Sequence, residues 1–249
     1  IKHKAGEEYT VRLKKGEVFQ VVARDVINST CDLTGSLIQA NKNISVFSGH
    51  QCAYVPRNIN ACNHLIEQMP PLPSWGKHFY VGNLQARSKY TYRVLANEDS
   101  TRVFIDAKLF KTLNAGEFFE EISSKNIQIT ANKPILVAQY SQGFNNSDSI
   151  GDPMMLLISP TQQFLRHYRF ATPVDGTWKH YVNLVVPNKA KGTLKLNGSP
   201  IDSTSFEPLG LSRYSIAFLQ VPFGQHELKC DLPFGMYSYG FGYDKHEYD

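Results

Sequence analysis

Charge is scarce in this sequence. Asp, Glu, Lys and Arg make up 19% of its 249 residues, while 12% are aromatic and 42% hydrophobic. That balance excludes the disordered and coiled-coil classes, which need far more charge and far fewer large apolar side chains. No apolar run approaches the about 18 residues of a membrane-spanning helix, so membrane insertion is not expected. No basic block exists either. The 26 Lys and Arg stand against 22 Asp and Glu, scattered singly, and a phosphate-tracking surface needs them clustered, so nucleic acid is not the expected partner. Catalytic templates are missing as well: there is no Gly-x-Ser-x-Gly, P-loop, His-Glu-x-x-His or Gly-rich dinucleotide turn. The expectation is a non-enzyme without cofactor. The chain opens at Ile1 without an initiator Met or signal-peptide pattern and reads as a piece of a longer protein.

Short runs of alternating apolar residues are abundant. They include Tyr9–Leu13, Val18–Val22, Ile44–Phe47, Tyr90–Leu95, Arg102–Ile105, Ile127–Ile129, Ile135–Ala138, Tyr181–Val186 and Thr193–Leu196. Punctuated by Gly, Pro, Asn and Asp, they predict an all-β, antiparallel, β-sandwich-like architecture. Two short helices are expected. One covers Ala61–Met69 and stops at Pro70-Pro71; the other opens at Ser159-Pro160-Thr161-Gln162 and runs to Tyr168. Tyr237, Tyr239 and Phe241 read as a buried final strand, with Tyr243 and Tyr248 left open.

The sequence also repeats. Ile38–Val46 aligns without a gap on Ile129–Val137, with six of nine positions identical. Leu13-Lys14-Lys15-Gly16-Glu17 matches Leu113-Asn114-Ala115-Gly116-Glu117, and each copy continues to a His-aromatic strand at His78 or His167. The expectation is a duplicated β unit over 1–107 and 108–198, with a partial third unit over 199–249 packed on the others.

Four cysteines, Cys31, Cys52, Cys62 and Cys230, include no Cys-x-x-Cys pair. Cys52 and Cys62 lie in a His50-Gln51-Cys52…Cys62-Asn63-His64 cluster. Its inventory suits tetrahedral zinc, a disulfide loop or free thiols, and the disulfide is favoured because the spacing fits no standard zinc finger. A thiol nucleophile at Cys52 with His50 or His64 as base is disfavoured by the neighbouring Cys62. Cys31 and Cys230 remain as a second, long-range pair. Asn28, Asn43 and Asn145 head clean glycosylation sequons, and Asn197 a weaker one before Pro200. Cysteines and sequons together point to an oxidising, extracellular setting, secreted or at a cell surface. Ser147–Asp152 carries oxygen ligands but lacks the alternating pattern of a calcium loop.

Asp32-Leu33-Thr34-Gly35, Val46-Phe47-Ser48-Gly49-His50-Gln51-Cys52, Val55-Pro56, Cys62–Pro71 and Trp75-Gly76-Lys77 resemble the signature of the IgGFc-binding protein N-terminal domain family. Asn63 departs from that family's usual Asp. Later segments, including Ala131–Ile135, Tyr140–Gly143 and Asp152–Met155, resemble it too, so the likeness covers nearly the whole chain. It implies an extracellular, non-enzymatic module of large secreted or surface proteins, and a Cys52–Cys62 disulfide. It does not by itself imply immunoglobulin binding. The function expected is adhesion or binding of a protein or glycan on another surface. The alternative is a structural module that self-assembles into homo-oligomers or fibres. Candidate contact residues lie on two loops, Arg57, Asn58 and Asn60 on one and Phe144, Asn145, Asp148 and Asp152 on the other, because rigid β scaffolds carry variable function on loops.

Overall fold

A computed structural model describes residues 3–4, 6–23, 32–146, 148, 151–173 and 176–242. By its contacts the chain divides into residues 1–34 and 35–249. The described part of the first contains tight turns and extended chain but no strand ladder. In the second, β1 (Phe47–Tyr54) and β2 (Cys62–Gln68) form a two-stranded hairpin. Then come β3 (Gly76–Val81), β4 (Tyr90–Ala96), β5 (Thr101–Ile105), β6 (Lys108–Leu113), β7 (Phe118–Ser123), β8 (Ile127–Tyr140) and β9 (Met155–Leu157), which make one antiparallel sheet. A second sheet contains β10 (Leu165–Thr172), β11 (Lys179–Pro187), β12 (Lys195–Leu196), β13 (Ser199–Pro200), β14 (Phe206–Pro208), β15 (Tyr214–Val221) and β16 (Gly224–Phe241). The protein is all-β, as its alternation predicts, and its helical residues are short 3-10 turns.

The two sheets share one plan. The first runs β6-β5-β8-β4-β7 with β3 also on β8; the second runs β13-β12-β16-β11-β15, with β10 also on β16 and β14 beyond β15. Each is organised by one long strand that changes partners midway. β8 pairs with β3 until a register break between His78↔Thr130 and Gly76↔Ile135, and with β4 from Ile135 onward. β16 pairs with β10 until the corresponding break between His167↔Lys229 and Leu165↔Phe234, and with β11 from Gly235 onward. Pro134 and Pro233 sit at those switches, where a residue without an N–H ends one ladder and lets the strand curl. The turns match as well. Asp106 and Asn197 take positive φ (47° and 51°), and their side chains accept from the N–H of Gln128 (3.0 Å) and Glu227 (2.8 Å).

The plan shared by the two sheets does not divide at residues 107/108 and 198/199. Residue 107/108 falls in the turn between paired β5 and β6, and 198/199 in the turn between β12 and β13. The sheets themselves span 76–157 and 165–241. The spacing of matching motifs is conserved wherever a unit is cut, so sequence repetition gives the period but not the phase.

Both expected helices are corrected. Ala61–Met69 contains strand β2, paired with β1 and tied to it by a Cys52–Cys62 disulfide with Cα atoms 5.0 Å apart. Ser159–Tyr168 is a single 3-10 turn, Thr161–Gln163, followed by strand β10. Long-range pairing overrides local helix propensity in each. The expected strands at Tyr9–Leu13 and Val18–Val22 make no ladder, and the one at 44–47 enters β1 only at Phe47.

One core cluster is shared by the two sheets. Phe79, Tyr90, Val94, Ile129, Ile135 and Val137 of the first lie in it with Tyr181, Val185, Ile216, Tyr237, Tyr239 and Phe241 of the second. The final strand is thus buried over Tyr237–Phe241, while Tyr243 and Tyr248 lie outside the described residues. A second cluster fills the curl of the second sheet with Val182, Leu184, Val186, Leu194, Leu228 and Phe234. Alternate residues of β11 serve the two clusters, which is why this strand is apolar without a break.

Candidate functional site

The loop from Val55 to Ala61 leaves and re-enters the β1–β2 hairpin beside the Cys52–Cys62 bridge. His50 completes this base: its Nδ1 accepts from the Cys52 N–H at 3.0 Å, within the bulge that separates His50 and Ala53 in the ladder. The two sulfurs are bonded to each other, which removes them from any zinc or nucleophile role. No cluster of three or more metal-ligating side chains exists among the described residues. Cys230 is a free, buried thiol with its Sγ 3.4 Å from Thr193 Oγ1. The expected Cys31–Cys230 bridge is corrected accordingly. Cys230 occupies the position in β16 that Ala131 has in β8, a small core residue; Cys31 and Asn28 lie outside the described residues.

The two candidate loops, distant in sequence, are brought together. Gly143 N–H donates to Val55 O and Asn145 N–H to Asn60 O, each at 3.0 Å. The approach is so close that a Cβ on Gly143 would stand 2.7 Å from the carbonyl oxygens of Asn60 and Ala61, so only glycine fits. Underneath, Val55 packs with Leu65, Ala138 and Tyr140.

The second loop is held from behind by Arg87, on the β3–β4 connection. Its guanidinium is buried, donates to Gln142 O, lies over the Phe241 ring at 5.3 Å and sits 3.7 Å from Asp148 Oδ2. Asp148 also accepts from Ser88 N–H (3.0 Å) and Asn146 Nδ2 (3.1 Å). Burial pushes the Asp148 carboxyl up, but the Ser88 and Asn146 hydrogen bonds and the Arg87 charge outweigh it and hold the pKa below the usual value. The Gln142 side chain donates to Thr91 Oγ1 at 3.0 Å and accepts from Asn146 at 3.3 Å. Ser141 Oγ bridges Asp152 O and Met154 N–H. Asp148 and Asp152 thus help to hold the loop rather than to present a metal site.

Between the loops and the end of β7 lies an open cleft of about 320 Å³. Pro56, Ile59 and Ile122 give it an apolar side, Gln142 and Asn146 an amide wall, Ser123 and Ser124 hydroxyls, and Lys89 a single cation. Among the described residues no carboxylate pair, nucleophile–base pair or thiol lines it. Chemically it can take an uncharged or mildly anionic polar group beside an apolar one.

Of the residues expected from sequence, Arg57, Asn58, Asn60 and Asn145 are exposed around the two loops, and Phe144, Asp148 and Asp152 are half-buried. Asn43 is exposed. The cleft walls themselves, Lys89, Ile122, Gln142 and Asn146, were not expected. Their only signal was adjacency, Asn146 inside the Asn145 sequon and Ile122 before Ser123-Ser124.

The family described as IgGFc binding protein matches residues 1–240. The IgGFc-binding protein of Homo sapiens is 25% identical over 244 residues, which is 95% of this chain and 4% of that protein. The chain therefore spans a small fraction of its relative's length. A solved conserved protein of unknown function from Pseudomonas aeruginosa PAO1 aligns with 66% of this chain and 75% of its own, at 11% identity and a TM-score of 0.20; that likeness carries no argument. The match across 1–240 includes the disulfide-based loop, its cleft and both sheets, and the chain belongs to the IgGFc-binding protein family.

Proposed function

We propose that this chain is a non-enzymatic binding module of a larger extracellular protein, and that it holds a protein or glycan partner in the cleft between residues 55–61 and 142–148. The observation that carries the reading is the meeting of the two loops over Gly143, braced by a disulfide on one side and by Arg87 with Asp148 on the other. A pre-organised concave surface loses little conformational entropy on binding. Its mixture of amides, hydroxyls and apolar edges suits polar recognition without chemistry. Family membership supports the extracellular setting, as do the disulfide and the exposed sequon asparagines Asn43 and Asn145.

Human immunoglobulin G Fc is the first protein to assay, because the human relative is named for it; a glycan array covers the other class. Ile122→Asp and Ser124→Trp place charge or bulk in the cleft on exposed positions. Binding should fall at least about tenfold in each, the equivalent of about 1.4 kcal/mol, with unchanged thermal stability. Partners that bind both variants as well as the parent would sink the assignment of the cleft. Self-assembly is the second reading, supported by exposed Leu109 and Phe110 on edge strand β6. A concentration-dependent oligomer abolished by Phe110→Lys would favour it.

A further inference from the structure

One segment has the sequence of a central strand but lacks most of a central strand's neighbours. Ile38–Val46 repeats Ile129–Val137, the middle of β8. The likeness extends to local geometry. Thr34 N–H donates to Asp32 Oδ1 at 2.9 Å four residues before Ile38, as Lys125 N–H donates to Ser123 Oγ at 3.0 Å four residues before Ile129. Farther upstream, Lys14 N–H donates to Glu17 Oε2 (2.8 Å) around Gly16 at φ 85°, repeating Asn114 N–H to Glu117 Oε2 (2.6 Å) around Gly116 at φ 78°. Residues 8–46 thus carry, in order, the markers that accompany β6, β7 and β8.

The environments differ completely. In β8, Ile129 and Ile135 are 0% exposed, because β3 and β5 flank the first half of the strand and β4 the second. Their counterparts Ile38 and Ile44 are 59% and 52% exposed; residues 36–46 have no ladder partner among the described residues, and Val46 O accepts from Met69 N–H at 2.8 Å beyond β2, as Val137 O accepts from Ile158 N–H at 2.9 Å beyond β9. An extended segment with one unpaired edge and alternating apolar side chains is a template for an added strand.

We propose that the edge of residues 44–49 not taken by β2, the counterpart of the Ile135–Tyr140 edge that β8 gives to β4, accepts an extended strand of the β4 type from a neighbouring repeat unit of the larger protein. The occupant's chemistry is read from the complete copy. β4 offers β8 an alternating row, Tyr90, Tyr92, Val94 and Ala96, each 4% exposed or less. A second copy of this chain is not the donor, since its own β4 is already held between β7 and β8.

The test uses the full chain and a synthetic peptide of residues 89–97 as the probe strand. Saturable one-to-one binding by fluorescence anisotropy is expected, with amide exchange within residues 44–49 slowed at least tenfold. Ile44→Asp, at an exposed position, should abolish binding without shifting the melting temperature. A control peptide with Ser at positions 90, 92 and 94 should not bind. Lys89→Glu and Ile122→Asp in the chain, which address the cleft, should leave peptide binding unchanged, so failure here is distinct from failure of the cleft. The proposal is overturned by absence of peptide binding, by equal binding of the control peptide, by binding that survives Ile44→Asp, or by a homodimer that Ile44→Asp dissolves.

Discussion

Gly143→Ala is the most informative single change at the candidate site. The added methyl would meet Asn60 O and Ala61 O at 2.7 Å and Ala61 N at 2.8 Å. All three are backbone atoms, so no side chain can swing aside, and the loops must separate. Overpacking of this kind costs about 1–3 kcal/mol. Separation also weakens the hydrogen bonds from Gly143 N–H to Val55 O and Asn145 N–H to Asn60 O, at about 1 kcal/mol each. The combined loss is about 3–5 kcal/mol, which for a chain of this size lowers the melting temperature by about 6–20 °C if the loop melts with the rest, and appears as local opening if it does not. Gly192→Ala is the control: nothing lies within 4 Å of a Cβ there, and a relaxed Gly→Ala change is neutral or stabilising by about 0.4–1 kcal/mol. Thermal unfolding with amide exchange at Asn145 reads both outcomes. If Gly143→Ala matches Gly192→Ala in stability and in Asn145 exchange, the two loops are not joined as described, and the cleft between them loses its basis.

Reducing Cys52–Cys62, or replacing both by Ala, releases a loop of separation 10; it should cost about 2–3 kcal/mol, seen as faster amide exchange over residues 53–61. Burial predicts opposite results at two repeat-related isoleucines. Ile135→Ala, fully buried, should destabilise by about 2–5 kcal/mol, and Ile44→Ala, 52% exposed, by less than about 0.5 kcal/mol in denaturant titrations. Glu227, hydrogen-bonded by Lys229, Arg169 and His167, is held down to a pKa of about 2 from 4.5. Its contribution is present above pH 4.5 and lost as pH falls toward 2, so Glu227→Gln should flatten the acid limb of the stability profile; an NMR titration midpoint near 4.5 would contradict this. Tyr92, pushed up to about 12 chiefly by burial, favours the folded state below pH 10 and loses that contribution as pH rises through 12. Its phenolate absorbance should therefore appear only well above pH 10.

The cysteine spacing of 52 and 62 and its resemblance to a known family were enough to anticipate the bridge. The alternation of Tyr90–Leu95 and Tyr181–Val186 was enough to anticipate strands β4 and β11. Leu65-Ile66-Glu67-Gln68 misled, because its residues are good local helix formers and only pairing with β1 makes them a strand. The two candidate loops were legible as loops, but not as neighbours. Lys89, Ile122, Gln142 and Asn146 carry no mark of a site until the β3–β4 connection, the end of β7 and the 142–148 loop converge.

By itself the sequence determined the β class, the repeated motifs and the family, because periodicity, spacing and motif are properties of near neighbours along the chain. Only the tertiary structure decided the plan shared by the two sheets, the strand at 62–68, the free thiol of Cys230, the cleft and the exposure of Ile38 and Ile44. Each of those depends on which distant backbone edge supplies the hydrogen bonds, and a one-dimensional pattern shared by two copies is the same whether its partner strand is present or missing.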